Sequence, residues 1–349
     1  MNNDPQFLDN LATHCDVCPR HCKMKPGQRG FCWVRENQDG RVVSTTYGRT
    51  TGLALDPVEK KPLYQFYPGS SVLSFGTPGC NLGCQFCQNW TMSRSHDDSI
   101  AAVEITPREV AELAAHHKCR SVAYTYNDPV IWHEYAEDCA LECRQRGIKN
   151  IAVTAGYISP EPRKRFFTRM DAANIDLKSM RPEFYRKYSR VDLEPVLDTL
   201  RYVRRETNVW LEVTNLLIPP GPNSADDGND SPGEIELLCD WIVENLGEQT
   251  PLHFSAFHPA YKMSDRPSTP FGKLVEAYRI AHKAGLKYVY LGNVRAWQYE
   301  STYCPHCNKL VLHRDGYRIV QQNLMASPND PAGPRNRCVF CQTSIAGVF

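Results

Sequence analysis

The 349-residue chain has no run of about 18 apolar residues, so no membrane-spanning helix is expected. It has almost no net charge, +1 from 40 basic and 39 acidic side chains, and so carries no strong signal for nucleic acid or an anionic membrane surface. The opening stretch, MNNDPQFLDNLATHC, lacks a basic segment followed by an apolar core, so a signal peptide is not expected. Internal repeats and long low-complexity tracts are also missing. These absences make a soluble cytoplasmic protein the default expectation.

Cysteine, by contrast, is plentiful. The chain has 15, and a reducing compartment disfavours disulfides, so clustered thiols point to metal or redox chemistry. One group is Cys15, Cys18, Cys22 and Cys32. A second is Cys80, Cys84 and Cys87. A third is two CxxC pairs, Cys304 with Cys307 and Cys338 with Cys341. Cys119, Cys139, Cys143 and Cys239 are scattered, and Cys139 and Cys143, one helical turn apart, suit a packed core better than a metal.

The patterning divides the chain into a Cys-rich metal-binding module (1–50), a connector (51–70), a barrel (71–300) and a zinc-ribbon-like module (301–349). Apolar β-type runs recur at Ser71–Thr77, Ser121–Tyr126, Asn150–Ala155, Ala172–Ser179, Val209–Ile218, Leu252–Phe257 and Tyr288–Asn293, with helical stretches between most of them. Thr106-Pro107-Arg108-Glu109 is a capping box with proline at the first helical position. Helices are also expected over Pro129–Arg146 and Pro270–Ala284, each followed by glycine. Strands alternating with helices imply parallel pairing through right-handed crossovers. The expected fold is α/β, a partial (β/α) TIM-type barrel with small N- and C-terminal cysteine-rich modules; a doubly wound sheet is the alternative. Two Pro/Gly/Asp-rich loops interrupt the rhythm. The one at 219–233 follows the fifth strand and reads as a lid or a mobile insertion; the other spans 326–337.

The loop after the first strand reads Gly79-Cys80-Asn81-Leu82-Gly83-Cys84-Gln85-Phe86-Cys87. Three thiolates in CxxxCxxC spacing can hold one iron–sulfur cube, and without a fourth protein ligand one iron stays open to chelate the amine and carboxylate of a methionine-derived ligand. Zinc sites use a fourth ligand and CxxC pairs, so zinc explains this spacing poorly. Polar residues end the later strands, where a barrel carries its active site: Asp128, Asp176 and Lys178, Glu212 with Thr214 and Asn215, and His258. Each has a plain structural reading too, as a helix cap, an ion pair or a polar turn residue.

The loop closely resembles the signature of the radical S-adenosylmethionine (SAM) superfamily, including the aromatic Phe86. On CDVCPRHC, DPVEKKPLYQFYPGS, CNLGCQFCQNW, YTYNDP, DLKS, HFSAFHP, YVYLGNV, YCPHC and IAGVF, the chain looks like the radical SAM member of the AmmeMemoRadiSam group, distantly similar to pyruvate formate-lyase activating enzyme. The resemblance implies a [4Fe-4S] cluster on Cys80, Cys84 and Cys87 and reductive cleavage of SAM to a 5′-deoxyadenosyl radical. It further implies SAM-binding roles for Phe86, Asp128, Asp176, Lys178, Thr214, Asn215 and His258. It implies an electron donor such as flavodoxin or ferredoxin and a dioxygenase-like partner protein. It names no substrate and no catalytic side chain. The group usually has Glu at the Asp128 position, and Gly where Asn308 and Gln342 stand.

The C-terminal CxxC pairs resemble a zinc ribbon, with strand-like segments Lys309–His313 and Tyr317–Gln321 forming a hairpin between them; zinc is expected, an auxiliary Fe–S cluster or no metal being the alternatives. Cys15, Cys18, Cys22 and Cys32 suit zinc or an auxiliary [4Fe-4S] cluster equally well, with His14 and His21 as substitute ligands. The expected activity is hydrogen abstraction from a small molecule or peptide. Activation of a glycyl radical enzyme is a second reading, and a zinc-ribbon binding protein on a barrel scaffold a third.

Overall fold

The computed structural model describes residues 12–95, 101–224, 227–330 and 333–349. The start of the N-terminal module, with the stretch read above for a signal peptide, lies largely outside these residues, as do 225–226 of the first loop and 331–332 of the second. Seven strands run parallel and in chain order: Ser71–Gly76, Ser121–Tyr124, Lys149–Thr154, Ala172–Asp176, Trp210–Leu217, Leu252–Ala256 and Val289–Gly292. They fall on the seven apolar runs. Each pairs with the next in parallel register. Strand Arg49–Pro57 lies antiparallel on the first edge, with Val103–Glu104 outside it. Among the described residues the seventh strand pairs only with the sixth, so the barrel stays open along one seam. Strand order never reverses, so there is no topological switch point. Right-handed crossovers then place every intervening helix on the same face, which curls the sheet into a partial barrel rather than a doubly wound sheet.

The helices that cover this sheet are Pro107–His116, His133–Gln145, Pro160–Thr168, Glu194–Glu206, Pro232–Leu246 and Phe271–Lys283. Thr106 and Glu109 form the reciprocal capping box. The expected helix from Pro129 begins instead as a 3-10 turn, Pro129–Trp132, and becomes α-helical at His133. Asp128 causes the delay: its carboxylate accepts from Val130 N at 3.2 Å, and the buried Trp132 indole donates to Asn127 at 3.2 Å. Val122, Ala173, Val213 and Phe254 of the sheet pack against Ala136, Leu200, Leu238 and Leu274 of the helices. Each such large aliphatic side chain contributes roughly 1.5–3 kcal/mol. Cys119, Cys139, Cys143 and Cys239 are buried in this layer as small apolar residues.

The connector plugs the barrel floor. Leu63 and Phe66 pack under Val72, Ala123, Ile151 and Ala172. The buried Glu212 carboxylate accepts from Tyr64 N at 3.0 Å, Gln65 N at 2.8 Å and the Trp210 indole at 2.9 Å, and lies 2.6 Å from His253 Nε2. Glu212 therefore closes the floor instead of serving the open end. The C-terminal residues form a three-stranded sheet, Thr302–Tyr303, Leu310–Asp315 and Arg318–Gln322, which includes the expected hairpin. Its fully buried Arg314 donates to the Tyr64 carbonyl and to the Thr302 hydroxyl, tying this sheet to the plug. At the other end, Arg35 of the N-terminal hairpin, strands Arg35–Gln38 and Arg41–Ser44, donates to Glu134 at 2.6 Å and to the Ile131 carbonyl at 2.7 Å.

Candidate metal and cofactor site

The cysteine loop leaves the first strand at the C-terminal end of the barrel. Two close approaches require glycine. Gly79 has φ +85°, and a Cβ there would lie 2.2 Å from the Cys32 carbonyl oxygen. A Cβ on Gly83 would lie 2.7 Å from Arg190 Cδ. The loop is then fastened from three sides. Gly83 N and Gln85 N each donate at 2.8 Å to the carbonyls of Ser189 and Tyr188, and Lys262 N donates to the Gln85 carbonyl at 2.9 Å. Asn127 donates to the Thr77 hydroxyl at 3.1 Å and the Gly79 carbonyl at 2.9 Å. The Asn81 amide donates to the Tyr157 carbonyl at 2.8 Å, and the Arg94 guanidinium donates to the Leu82 carbonyl. Such a loop holds its thiols in place before any metal arrives.

Phe86 is buried against Phe184, with Met263, Phe257 and Ile218 completing an apolar wall beside Cys84. Burial pushes the Cys80 and Cys84 thiols up; Asp128 adds to this at Cys80, while Lys178 opposes it at Cys84. These interactions place Asp128 and Lys178 around the thiols. Cys87 Sγ lies 3.3 Å from Ser93 Oγ.

The other expected site residues divide. Asp128 is buried, which raises its carboxyl to about 6 against the donors that hold it: Thr154 Oγ1 at 2.7 Å, Val130 N and Ala155 N at 3.2 Å. It is a cap, as its plain reading had it, and it also sits beside Cys80. Lys178 donates to Asp176 at 2.8 Å and lies over the Phe86 ring, its ammonium 5.6 Å from the centroid. Burial pulls Lys178 down, but Asp176 and Cys84 hold it above the usual lysine value. Thr214 is opposite Asp176 in the strand register, and its buried hydroxyl has no hydrogen-bond partner among the described residues.

Asn215 and His258 are not brought to this group. Successive strand residues face opposite sides, and Val213 belongs to the helix-facing core, so Asn215 points away from Thr214 and donates instead to the Leu177 carbonyl at 2.7 Å. His258 is exposed at the rim, 3.3 Å from Ser268 Oγ. Sequence reasoning missed Asn127, whose only signal was its place beside Asp128, and Tyr185, whose hydroxyl accepts from Lys178 N at 2.9 Å. In the loop expected as a lid or a mobile insertion, Asn229 is buried and donates to the carbonyls of Lys178 and Leu216, and Asp227 pairs with Arg266 at 2.7 Å.

The two outer cysteine groups differ in spacing. Cys304 Sγ is 3.5 Å from Cys341 Sγ, Cys307 Sγ is 3.8 Å from Cys338 Sγ, and all four sulfurs lie within 4.8 Å of one another. A tetrahedron with metal–sulfur bonds of about 2.3 Å has edges near 3.8 Å, so this group fits one ion. Burial pushes the Cys304 thiol up, whereas hydrogen bonding with Thr343 draws Cys341 down. Asn308 and Gln342 take the left-handed conformation, φ +56° and +62°, that glycine would adopt more readily. Cys15, Cys18, Cys22 and Cys32 line one cavity with Arg20, Arg35 and Asn81. His21 is exposed beside Asp16, at 3.2 Å.

The thiol loop thus lies at the open end of a partial α/β barrel, with Asp128, Asp176 and Lys178 at the strand ends around it. Residues 75–227 match the Radical SAM superfamily. A Methanocaldococcus jannaschii protein, MJ0808, is 43% identical over 338 residues, which is 97% of this chain and 96% of that one. The (2S)-3-sulfopropanediol dehydratase activating enzyme of Klebsiella oxytoca is 26% identical over 127 residues, 36% of this chain and 37% of that one. Among solved structures, a domain of the pyruvate-formate lyase-activating enzyme from Bacteroides vulgatus aligns over 50% of this chain and 99% of its own length, with a TM-score of 0.42 and 19% identity. The chain belongs to the radical SAM superfamily.

Proposed function

We propose that this protein cleaves SAM reductively at a [4Fe-4S] cluster held by Cys80, Cys84 and Cys87, and uses the 5′-deoxyadenosyl radical to take hydrogen from a small molecule or peptide. The observation that carries this reading is a three-thiol loop, beside Asp128 and Lys178, whose sulfurs do not close to single-ion spacing; Thr214, opposite Asp176, adds a buried hydroxyl with no hydrogen-bond partner among the described residues. The donor set fits the cofactors. Three soft thiolates suit a cube with one open iron, and the unpartnered hydroxyl next to Asp176 suits a polar ligand. The bound cluster would supply the electron that splits SAM. The chain itself would hold the loop rigid through Asn127 and Asn81, line one side with Phe86, and present Asp176, Lys178 and Thr214 to the ligand. Asp128 has three donors and room for one more, which suits an ammonium group.

The C-terminal cysteines are assigned here to zinc, supported by their single-ion spacing. A reducing cytoplasmic setting suits fifteen free thiols. A low-potential carrier such as flavodoxin or ferredoxin would provide electrons, and a dioxygenase-like protein is a candidate partner. Activation of a glycyl radical enzyme is the second reading, favoured by the likeness to the sulfopropanediol dehydratase activating enzyme.

The test is 5′-deoxyadenosine formation by anaerobically reconstituted protein given SAM and dithionite. Wild type should form it and Cys84→Ala should not. Cleavage retained in Cys84→Ala would rule out the cluster assignment.

A further inference from the structure

The N-terminal cysteines differ from the C-terminal ones in a way that decides between an ion and a cluster. Cys15, Cys18, Cys22 and Cys32 all line one cavity, together with Arg20, Arg35 and Asn81. Yet no three of their sulfurs lie within 4.8 Å of one another, since among the described residues only the C-terminal four meet that spacing. A single tetrahedral ion brings its four thiolates to about 3.8 Å from one another, closer than this group stands. Cys80, Cys84 and Cys87 likewise do not all lie within 4.8 Å of one another.

The surroundings suit a buried anionic group. Phe31 N points at Cys22 Sγ at 3.5 Å, an N–H···S contact of the kind that tunes iron–sulfur potentials. Arg20 and Arg35 line the cavity and set positive charge near Cys18 and near Cys15 and Cys32, the charge of Arg35 being shared with its partner Glu134. Asn81, bonded directly to Cys80, is part of the cavity wall, and Arg20 Nε donates to its carbonyl at 2.6 Å. The Cys32 carbonyl is packed so closely on Gly79 that no side chain fits between. The wall between the two cysteine groups is thus one residue thick.

We propose that Cys15, Cys18, Cys22 and Cys32 bind a second [4Fe-4S] cluster, with no open iron, that passes electrons to the cluster on Cys80, Cys84 and Cys87. Four protein ligands leave this cluster no site for SAM, so it carries charge only. One electron leaves it, taking it from [4Fe-4S]+ to [4Fe-4S]2+, and the catalytic cluster is reduced from [4Fe-4S]2+ to [4Fe-4S]+. A low-potential one-electron carrier protein restores the first. The relay rests on the proposed radical chemistry; the binding site does not.

The full chain, reconstituted anaerobically with iron and sulfide, separates the two claims. With four irons per cube, wild type should hold about eight irons and the Cys80→Ala/Cys84→Ala/Cys87→Ala variant about four, with an electron paramagnetic resonance signal that SAM does not alter. A triple variant that holds zinc in place of that iron would overturn the site, whatever the fate of the radical reading. In Cys18→Ser/Cys32→Ser, 5′-deoxyadenosine formation driven by reduced flavodoxin should be lost while dithionite-driven formation persists. Undiminished flavodoxin-driven turnover in that variant would overturn the relay.

Discussion

Gly79→Ala should damage the protein far more than a glycine substitution usually does. The residue sits at φ +85°, and the left-handed region costs a side-chain-bearing residue roughly 1–2 kcal/mol. Its new Cβ would also meet the Cys32 carbonyl oxygen at 2.2 Å and Val34 Cγ1 at 2.9 Å. Relief requires moving the loop against the N-terminal hairpin by about 1 Å, and overpacking of that kind costs typically 1–3 kcal/mol. The sum is roughly 2–5 kcal/mol. Gly147 is the control: its φ is +70° and nothing lies within 4 Å of its added Cβ, so only the backbone term applies. Urea unfolding of the reduced, metal-free chains measures the difference, and iron content after reconstitution reports the loop. Equal loss of stability in Gly79→Ala and Gly147→Ala, with iron loading intact in both, would refute the close approach of loop and hairpin.

Asp56 accepts from Lys60 at 2.8 Å, Lys61 at 2.7 Å and Tyr126 at 2.8 Å; burial alone would raise its carboxyl, but these partners hold it well below the usual carboxylate range. A depressed folded value contributes stability above the unfolded pKa of about 3.9 and loses it as pH falls further, so the gap between wild type and Asp56→Asn, about 3 kcal/mol at neutral pH, should shrink below about pH 4. A gap that stays constant with pH would count against the ion pair. Thr214→Val removes a buried hydroxyl that has no hydrogen-bond partner among the described residues, so unfolding stability should hold or rise by up to about 1 kcal/mol while SAM binds several-fold more weakly by calorimetry. Cys304→Ala/Cys338→Ala should lose about one zinc per chain and melt at lower temperature with iron content unchanged, as elemental analysis will show.

Local pattern made most of the barrel readable. Each of the seven strands is an apolar run bounded by breakers, and each is buried on both faces, so its composition reports its state without tertiary information. The capping box at Thr106 was legible for the same reason, since all its bonds fall within four residues. The helix start at Pro129 was not, because Asp128 and Trp132 redirect the chain through contacts that pattern does not encode. Thr214 and Asn215 were read together as ligands; the strand's alternation was visible, but which face turned inward depended on the packing of Val213 against the helices.

By itself the sequence determined the barrel and the three cysteine groups, because these rest on periodicity and on residue spacing along the chain. Tertiary structure alone decided what the groups are to one another. It put Glu212 on the floor, left the Thr214 hydroxyl with no hydrogen-bond partner among the described residues and set Asn215 on the far face. It drew the C-terminal thiols to single-ion distance and left the N-terminal ones wider, pressed against the Cys80 loop through Gly79 and Asn81. Distances between segments far apart in the chain depend on how whole elements pack, and spacing along a sequence carries no measure of that.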